Sequence, residues 1–237
     1  MKKRLLSLLL TTVMLLGLLP TGATAMLADH SHPICGAACA GHDETHDPVT
    51  FDKALTEDAD GKVYIDGVAA SVSANSYILP AGNYYLAGDI TAIRGLEIES
   101  GTVNLCLNGH TFTGNAIYPN PGFSRPVIDV DADAKVNICD CGTTGTVYGN
   151  HTKNISTQGE LCLYSGRVAG PRTGVYIQDG GTFRMHGGLV DTDDCLGVYV
   201  SDGTFVMDGG TVTGNSSGVE VEPNLSGQGR RGHHRQR

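Results

Sequence analysis

One Gly-bounded run recurs along this chain at a nearly fixed interval. Gly181-Thr182-Phe183-Arg184-Met185-His186-Gly187-Gly188 returns, at an offset of 22, as Gly203-Thr204-Phe205-Val206-Met207-Asp208-Gly209-Gly210. Gly159-Glu160-Leu161-Cys162-Leu163-Tyr164-Ser165-Gly166 precedes it at the same offset. A second column runs through Gly174-Val175-Tyr176-Ile177, Gly197-Val198-Tyr199-Val200 and Gly218-Val219-Glu220-Val221, at offsets of 23 and 21. Thr102-Val103-Asn104-Leu105-Cys106 and Lys135-Val136-Asn137-Ile138-Cys139 are looser copies upstream. Self-similarity at this period signals a solenoid, propeller or array. Apolar and polar residues alternate within each run, so each strand buries one face. A propeller blade needs four strands and about 40 residues, and a leucine-rich repeat needs a Leu consensus that is missing. The pattern predicts an all-β chain folded as a parallel β-helix, a solenoid whose units bury a continuous core. Composition agrees: 33 of 237 residues are glycine, Trp is absent and only 17% are charged, which excludes a coiled coil.

The chain divides into five segments. Residues 1–25 carry Lys2, Lys3 and Arg4, an apolar run from Leu5 to Leu19, Pro20 and the small-residue site Ala23-Thr24-Ala25. That three-part pattern predicts a secretory signal peptide, with an uncleaved anchor as the alternative. The run is short for a membrane span, and no later segment predicts one. Residues 26–48 form an irregular His/Cys-rich segment, 49–80 a lead-in or cap, and 81–222 the repeats. Residues 223–237 form a basic tail with Arg230, Arg231, Arg235 and Arg237. It reads as an anchor for anionic wall polymer or as the end of a truncated reading frame. Loss of the signal peptide would take the net charge from −9 to −12. An acidic chain without clustered Lys and Arg in its body is a poor nucleic-acid binder.

The His/Cys segment, the stretch from Asn83 through Val103–Thr111 to Val136–Cys141, and the Gly-Gly-Thr-Phe-x-Met-x-Gly-Gly units together resemble a family of secreted right-handed parallel β-helix proteins. That family is common in anaerobic Gram-positive gut bacteria and shares the pectin-lyase-like superfold. The resemblance covers most of residues 30–222. It implies a right-handed helix and a surface or adhesin-like role.

The densest chemistry lies in His32-x2-Cys35-x3-Cys39-x2-His42, flanked by His30 and His46. Cys35 and Cys39 with two of these histidines would complete a closed tetrahedral Zn²⁺ site, and a loop without a core would gain order from the ion. A Cys35–Cys39 disulfide is the other reading for an exported chain. Cys106 and Cys139 occupy matching places in two units. They would stack as a disulfide or as an unbridged thiol pair. Asp129, Asp131 and Asp133 alternate with apolar residues. They read as a Ca²⁺-binding row or, the plainer reading, as a solvated outer face. Asp191, Asp193 and Asp194 offer carboxylates of the kind used in glycoside hydrolysis, but turn formation explains them as simply. Tyr176 and Tyr199 alternate with inward residues and predict an outward pair that contacts sugar rings or packs one unit on the next.

The acid–base set is poor: Asp193-Asp194 is the lone fragment of the pectin-hydrolase signature, and no Arg stands in a lyase motif. The sequence therefore predicts a secreted or cell-surface, non-catalytic, monomeric display rod contacting glycans or other surface partners. A polysaccharide lyase or glycoside hydrolase, and a purely structural stalk, are the alternatives. Fold alone does not choose among them.

Overall fold

The computed structural model describes residues 30–35, 47–73, 75–114, 125–149 and 153–222. Of these residues 64% are in strands and none is helical. The signal-peptide, tail, Cys39, His42 and His46 assignments lie outside the described residues.

Three parallel ladders carry the repeats. The first joins the front half of Leu96–Cys106 to the front half of Ile128–Cys139, then to Lys153–Thr157, Thr173–Ile177, Leu196–Val200 and Ser217–Val221. The second joins Gly82–Leu86, the rear halves of the same two long strands, Glu160–Leu163, Gly181–Met185 and Gly203–Met207. The third runs from Ile90–Ala92 through Thr111–Gly114, Thr146–Gly149, Arg167–Gly170 and Leu189–Thr192 to Thr211–Gly214. The chain visits the three ladders in turn. Parallel neighbours require such long returns, because a tight hairpin yields only antiparallel pairs.

The register reproduces the sequence offsets residue by residue. Phe183 pairs with Phe205 and Met185 with Met207, while Val175 pairs with Val198 and Val198 with Val219. The Phe183 and Phe205 rings stack with centroids 5.2 Å apart. Inward residues of all three ladders form one core in which Leu105, Ile138, Leu161, Phe183 and Val190 are fully buried or nearly so. Outward columns are polar where water reaches them. Asn137 donates to Asn104 and Asn104 to Asn83, both at 2.7 Å, so each amide satisfies part of its neighbour's demand.

The corner after the second ladder explains the paired glycines. Gly166, Gly188 and Gly210 stand one repeat interval apart, with φ of +87°, +79° and +85°. That left-handed conformation is costly for residues with a Cβ. A Cβ on Gly188 would also stand 2.6 Å from the Gly166 carbonyl oxygen.

Residues 53–69 close one end. Lys53–Glu57 continues the second ladder beside Gly82–Leu86, then pairs antiparallel with Val63–Ile65, which pairs with Val68–Ala69. The last connection is the dipeptide Asp66-Gly67, with φ of 49° and 77°. This is the two-residue turn that Asp-Gly favours between twisted strands.

A separate hairpin, His30–Pro33 against Pro48–Phe51, lies outside the ladders. It packs on the outer side of the second ladder. There Phe51, Ala54, Tyr85, Cys106, Cys139, Cys162 and Tyr164 form a second buried cluster.

Candidate metal centre and outward faces

His30 and His32 are two residues apart on one strand, so their rings project from the same face. Aromatic packing holds both. His32 stacks on Phe51 at 4.6 Å and on His30 at 5.2 Å, while His30 meets the edge of Tyr85 at 5.1 Å. Across from them stand two cysteines of the ladder layers. Cys106 ends the strand Leu96–Cys106, with Tyr85 and Cys139 as its register partners on either side. Cys141 follows the strand Ile128–Cys139 in a bend.

The ligand-type atoms of His30, His32, Cys106 and Cys141 all lie within 4.8 Å of one another. His32 Nε2 is 3.3 Å from Cys106 Sγ, the two sulfurs are 3.5 Å apart, and His30 Nε2 is 3.8 Å from Cys141 Sγ. Zn–S bonds of about 2.3 Å and Zn–N bonds of about 2.0 Å give a tetrahedron with edges of roughly 3.3 to 3.8 Å. Three of the six separations are close to those edges and the rest stay within 4.8 Å, so the cluster could bind a metal such as zinc. Two thiolates and two neutral imidazoles would balance a divalent charge.

Surrounding groups orient these ligands. His32 Nδ1 lies 2.8 Å from the Pro33 carbonyl, which fixes Nδ1 as the protonated nitrogen and leaves the Nε2 lone pair facing the sulfurs. Asp140 builds the bend that presents Cys141: its carboxylate accepts from the backbone N–H groups of Gly109, Gly142 and Gly145 at 2.6, 3.1 and 2.9 Å. The Cys141 thiol donates to Asn108 Oδ1 at 3.4 Å. The thiols are electrically unequal. The hydrogen bond from Cys139, aided by His30, the Cys141 N–H and His32, holds Cys106 well below the usual thiol range, at about 4, against the effect of burial. Burial and the neighbouring Cys106 sulfur push Cys141 up to about 12. The same sulfur, with burial, pushes Cys139 above the ordinary thiol range. A bound cation would favour the thiolate form of both sulfurs.

Of the ligands expected from sequence, His32 belongs to this cluster. Cys35 is not among its four groups and packs beside Ile34 against the outer apolar cluster. Cys106 and Cys139 are register partners as expected, and both are thiols. His30 stood among the four candidate histidines, whereas the expectation missed Cys106 and Cys141 as members of the cluster. Only the alternation in His30-Ser31-His32 hinted that two imidazoles share a face.

The other candidates are spread over the ladders. Asp129 and Asp131 are half-buried. Burial, then Asp131 and Glu97, push Asp129 up to about 6, and burial followed by Glu99 also raises Asp131. A register shift beside Glu99 interrupts the alternation before Asp133, which is exposed at the corner. Asp191 accepts from Arg167 at 2.6 Å and from Thr213 Oγ1 at 2.7 Å. These bonds, Thr213's first, lower its pKa. Asp193 and Asp194 lie in the following bend, exposed. Tyr176 and Tyr199 are register partners with centroids 5.4 Å apart, and Lys153 Nζ sits 3.4 Å over the Tyr176 ring. The Tyr199 hydroxyl donates to Glu222 at 2.9 Å.

Comparison with known proteins adds no name: no family profile, curated protein or solved structure matches the chain.

Proposed function

We propose that this chain is an exported, non-catalytic surface protein. On this reading its parallel ladders wind as a right-handed parallel β-helix, a stiff rod whose flank contacts glycans, and Zn²⁺ held by His30, His32, Cys106 and Cys141 staples the N-terminal hairpin to that rod. The observation that carries the glycan contact is the outward pair Tyr176 and Tyr199, aligned by strand register and flanked by Lys153. The outer edges of the two phenols offer apolar area for a sugar ring, with Lys153 and the hydroxyls as polar groups beside it. The four-ligand set supports a structural ion, because a closed shell leaves no position for a substrate.

One observation favours the enzyme alternative. Asp129, raised to about 6, sits with Asp131 and Glu97 on the same outer ladder face, as a general acid of a lyase or hydrolase would. A glycan array together with reducing-end and unsaturated-sugar assays separates the readings. Binding without turnover, weakened in Tyr176→Ala and Tyr199→Ala, supports the display rod. Sugar release abolished by Asp129→Asn supports the enzyme. A chain that neither binds nor cleaves is a structural stalk. Elemental analysis of the purified chain tests the ion: one zinc per chain is expected, and His32→Ala should lose it.

A further inference from the structure

The four ligands divide unequally between two bodies. Both imidazoles come from the hairpin strand His30–Pro33, and both thiols come from the ladder layers. A metal bonded to all four is therefore a bridge between hairpin and ladders. A bond between the two sulfurs would instead lie wholly within the ladders.

Those sulfurs are placed to make that bond. Cys106 Sγ and Cys141 Sγ lie 3.5 Å apart. Cys141 is exposed and Cys106 is buried, so an oxidant from solvent meets Cys141 first and Cys106 stands behind it. Cys139, the third thiol of the group, is buried at 1% exposure. It is shielded from direct attack.

We propose that Cys106 and Cys141 form a redox-sensitive release for the hairpin, a modification site that rests on zinc occupying the cluster. A peroxide takes a proton and oxidises the Cys141 thiolate to a sulfenic acid, losing one water. The Cys106 thiolate attacks that sulfur, a second proton is taken up, and a second water leaves as the disulfide forms. Two thiolates thus give up two electrons, peroxide accepts them, and the zinc loses both anionic ligands. Two neutral imidazoles do not hold the ion at the site. The hairpin is then retained only by contacts such as that of His30 with the edge of Tyr85 and the packing of Phe51 in the outer cluster. A thiol reductant and fresh zinc restore the bridge.

The test uses the full chain, first reduced and assayed for zinc. Hydrogen peroxide is then added at graded ratios, with released zinc read by a chromogenic chelator, disulfides mapped by peptide mass spectrometry, and amide exchange followed over residues 30–51. The expected result is loss of the single zinc in step with a Cys106–Cys141 bridge, faster exchange in the strands His30–Pro33 and Pro48–Phe51, unchanged exchange in 161–200, and reversal by dithiothreitol plus zinc. Cys195→Ser, outside the four-ligand cluster, should respond like the parent chain. A reduced chain without zinc overturns the metal reading and this release with it. A chain that holds zinc but keeps it under peroxide overturns the release alone. So does one that loses zinc through a Cys106–Cys139 bridge or through a sulfinic acid.

Discussion

The two buried clusters of this molecule are built on different principles. Inside the ladders, apolar columns such as Leu161, Phe183 and Phe205 align in register, and each row covers the one before it. Beneath the hairpin, sulfur and aromatic rings meet on the outer side of the second ladder. The interior depends on area removed from water, which is non-directional and indifferent to oxidants and metals. The outer cluster sets four ligand-type atoms in one geometry, so with a metal bound it would be specific but answerable to solution chemistry. A chain can thus possess a rigid scaffold and a conditional attachment made from the same strands.

Four changes would break or sharpen that contrast. The largest effect belongs to the interior. Phe183→Ala should cost about 3–5 kcal/mol, because the ring is fully buried and its loss leaves a cavity. Denaturant unfolding measures this, and the folded fraction should keep its zinc. Zinc loss from that fraction would show that the clusters are not independent. Asp140→Ala removes the carboxylate that gathers three N–H groups behind Cys141. Zinc affinity should fall about 10- to 100-fold, as for other groups that orient ligands. Competition with a calibrated chelator reads that change, and unaltered affinity would refute the role given to the bend.

Asp129 tests a group on an outer face that is nevertheless partly buried. Its folded pKa is raised to about 6, above the roughly 3.9 of an unfolded chain. Between those values the folded state binds more protons, so ionisation lowers stability as pH rises through the window. Asp129→Asn should therefore stabilise the chain at pH 7. We expect about 1–2 kcal/mol after discounting for solvent screening, with the gain vanishing near pH 4. Melting curves at pH 4 and pH 7 check the sign. Arg167→Ala should do least. Its pair with Asp191 is exposed and is worth about 0.2–1 kcal/mol. The paired Asp191 carboxyl is held below its ordinary pKa, so this small loss should appear at pH 7 and fade as pH falls through the native pKa of Asp191.

The ladders were legible in the sequence because their register is the sequence offset. Phe183 over Phe205 and Tyr176 over Tyr199 are neighbours at spacings visible in the bare chain. The metal cluster was only half legible. Residue type was readable at His32 and in the pair of imidazoles around it. Position was not, since His32 and Cys106 are 74 residues apart, and His30 and Cys141 are 111 apart. Only the docking of the hairpin onto the second ladder joins them. Local spacing favoured Cys35 because it was near in the chain, but strand alternation and ladder register decide which sulfurs face the imidazoles. Asp133 shows the same limit on a smaller scale, where a shift opposite Glu99 breaks an alternation that looked continuous.

The corner formed by Gly166, Gly188 and Gly210 acts as a ruler for chain length. Inserting or deleting one whole interval between two of its marks carries every apolar side chain onto an equivalent inward place. An odd-sized change confined to a strand turns that strand inside out. The offsets of 23 and 21 along the Gly174, Gly197 and Gly218 column show that the bends absorb a single residue without that inversion. Genes encoding such a chain can consequently grow or shrink in whole increments at little thermodynamic risk, while the hairpin His30–Pro33 with Pro48–Phe51 stays as it is.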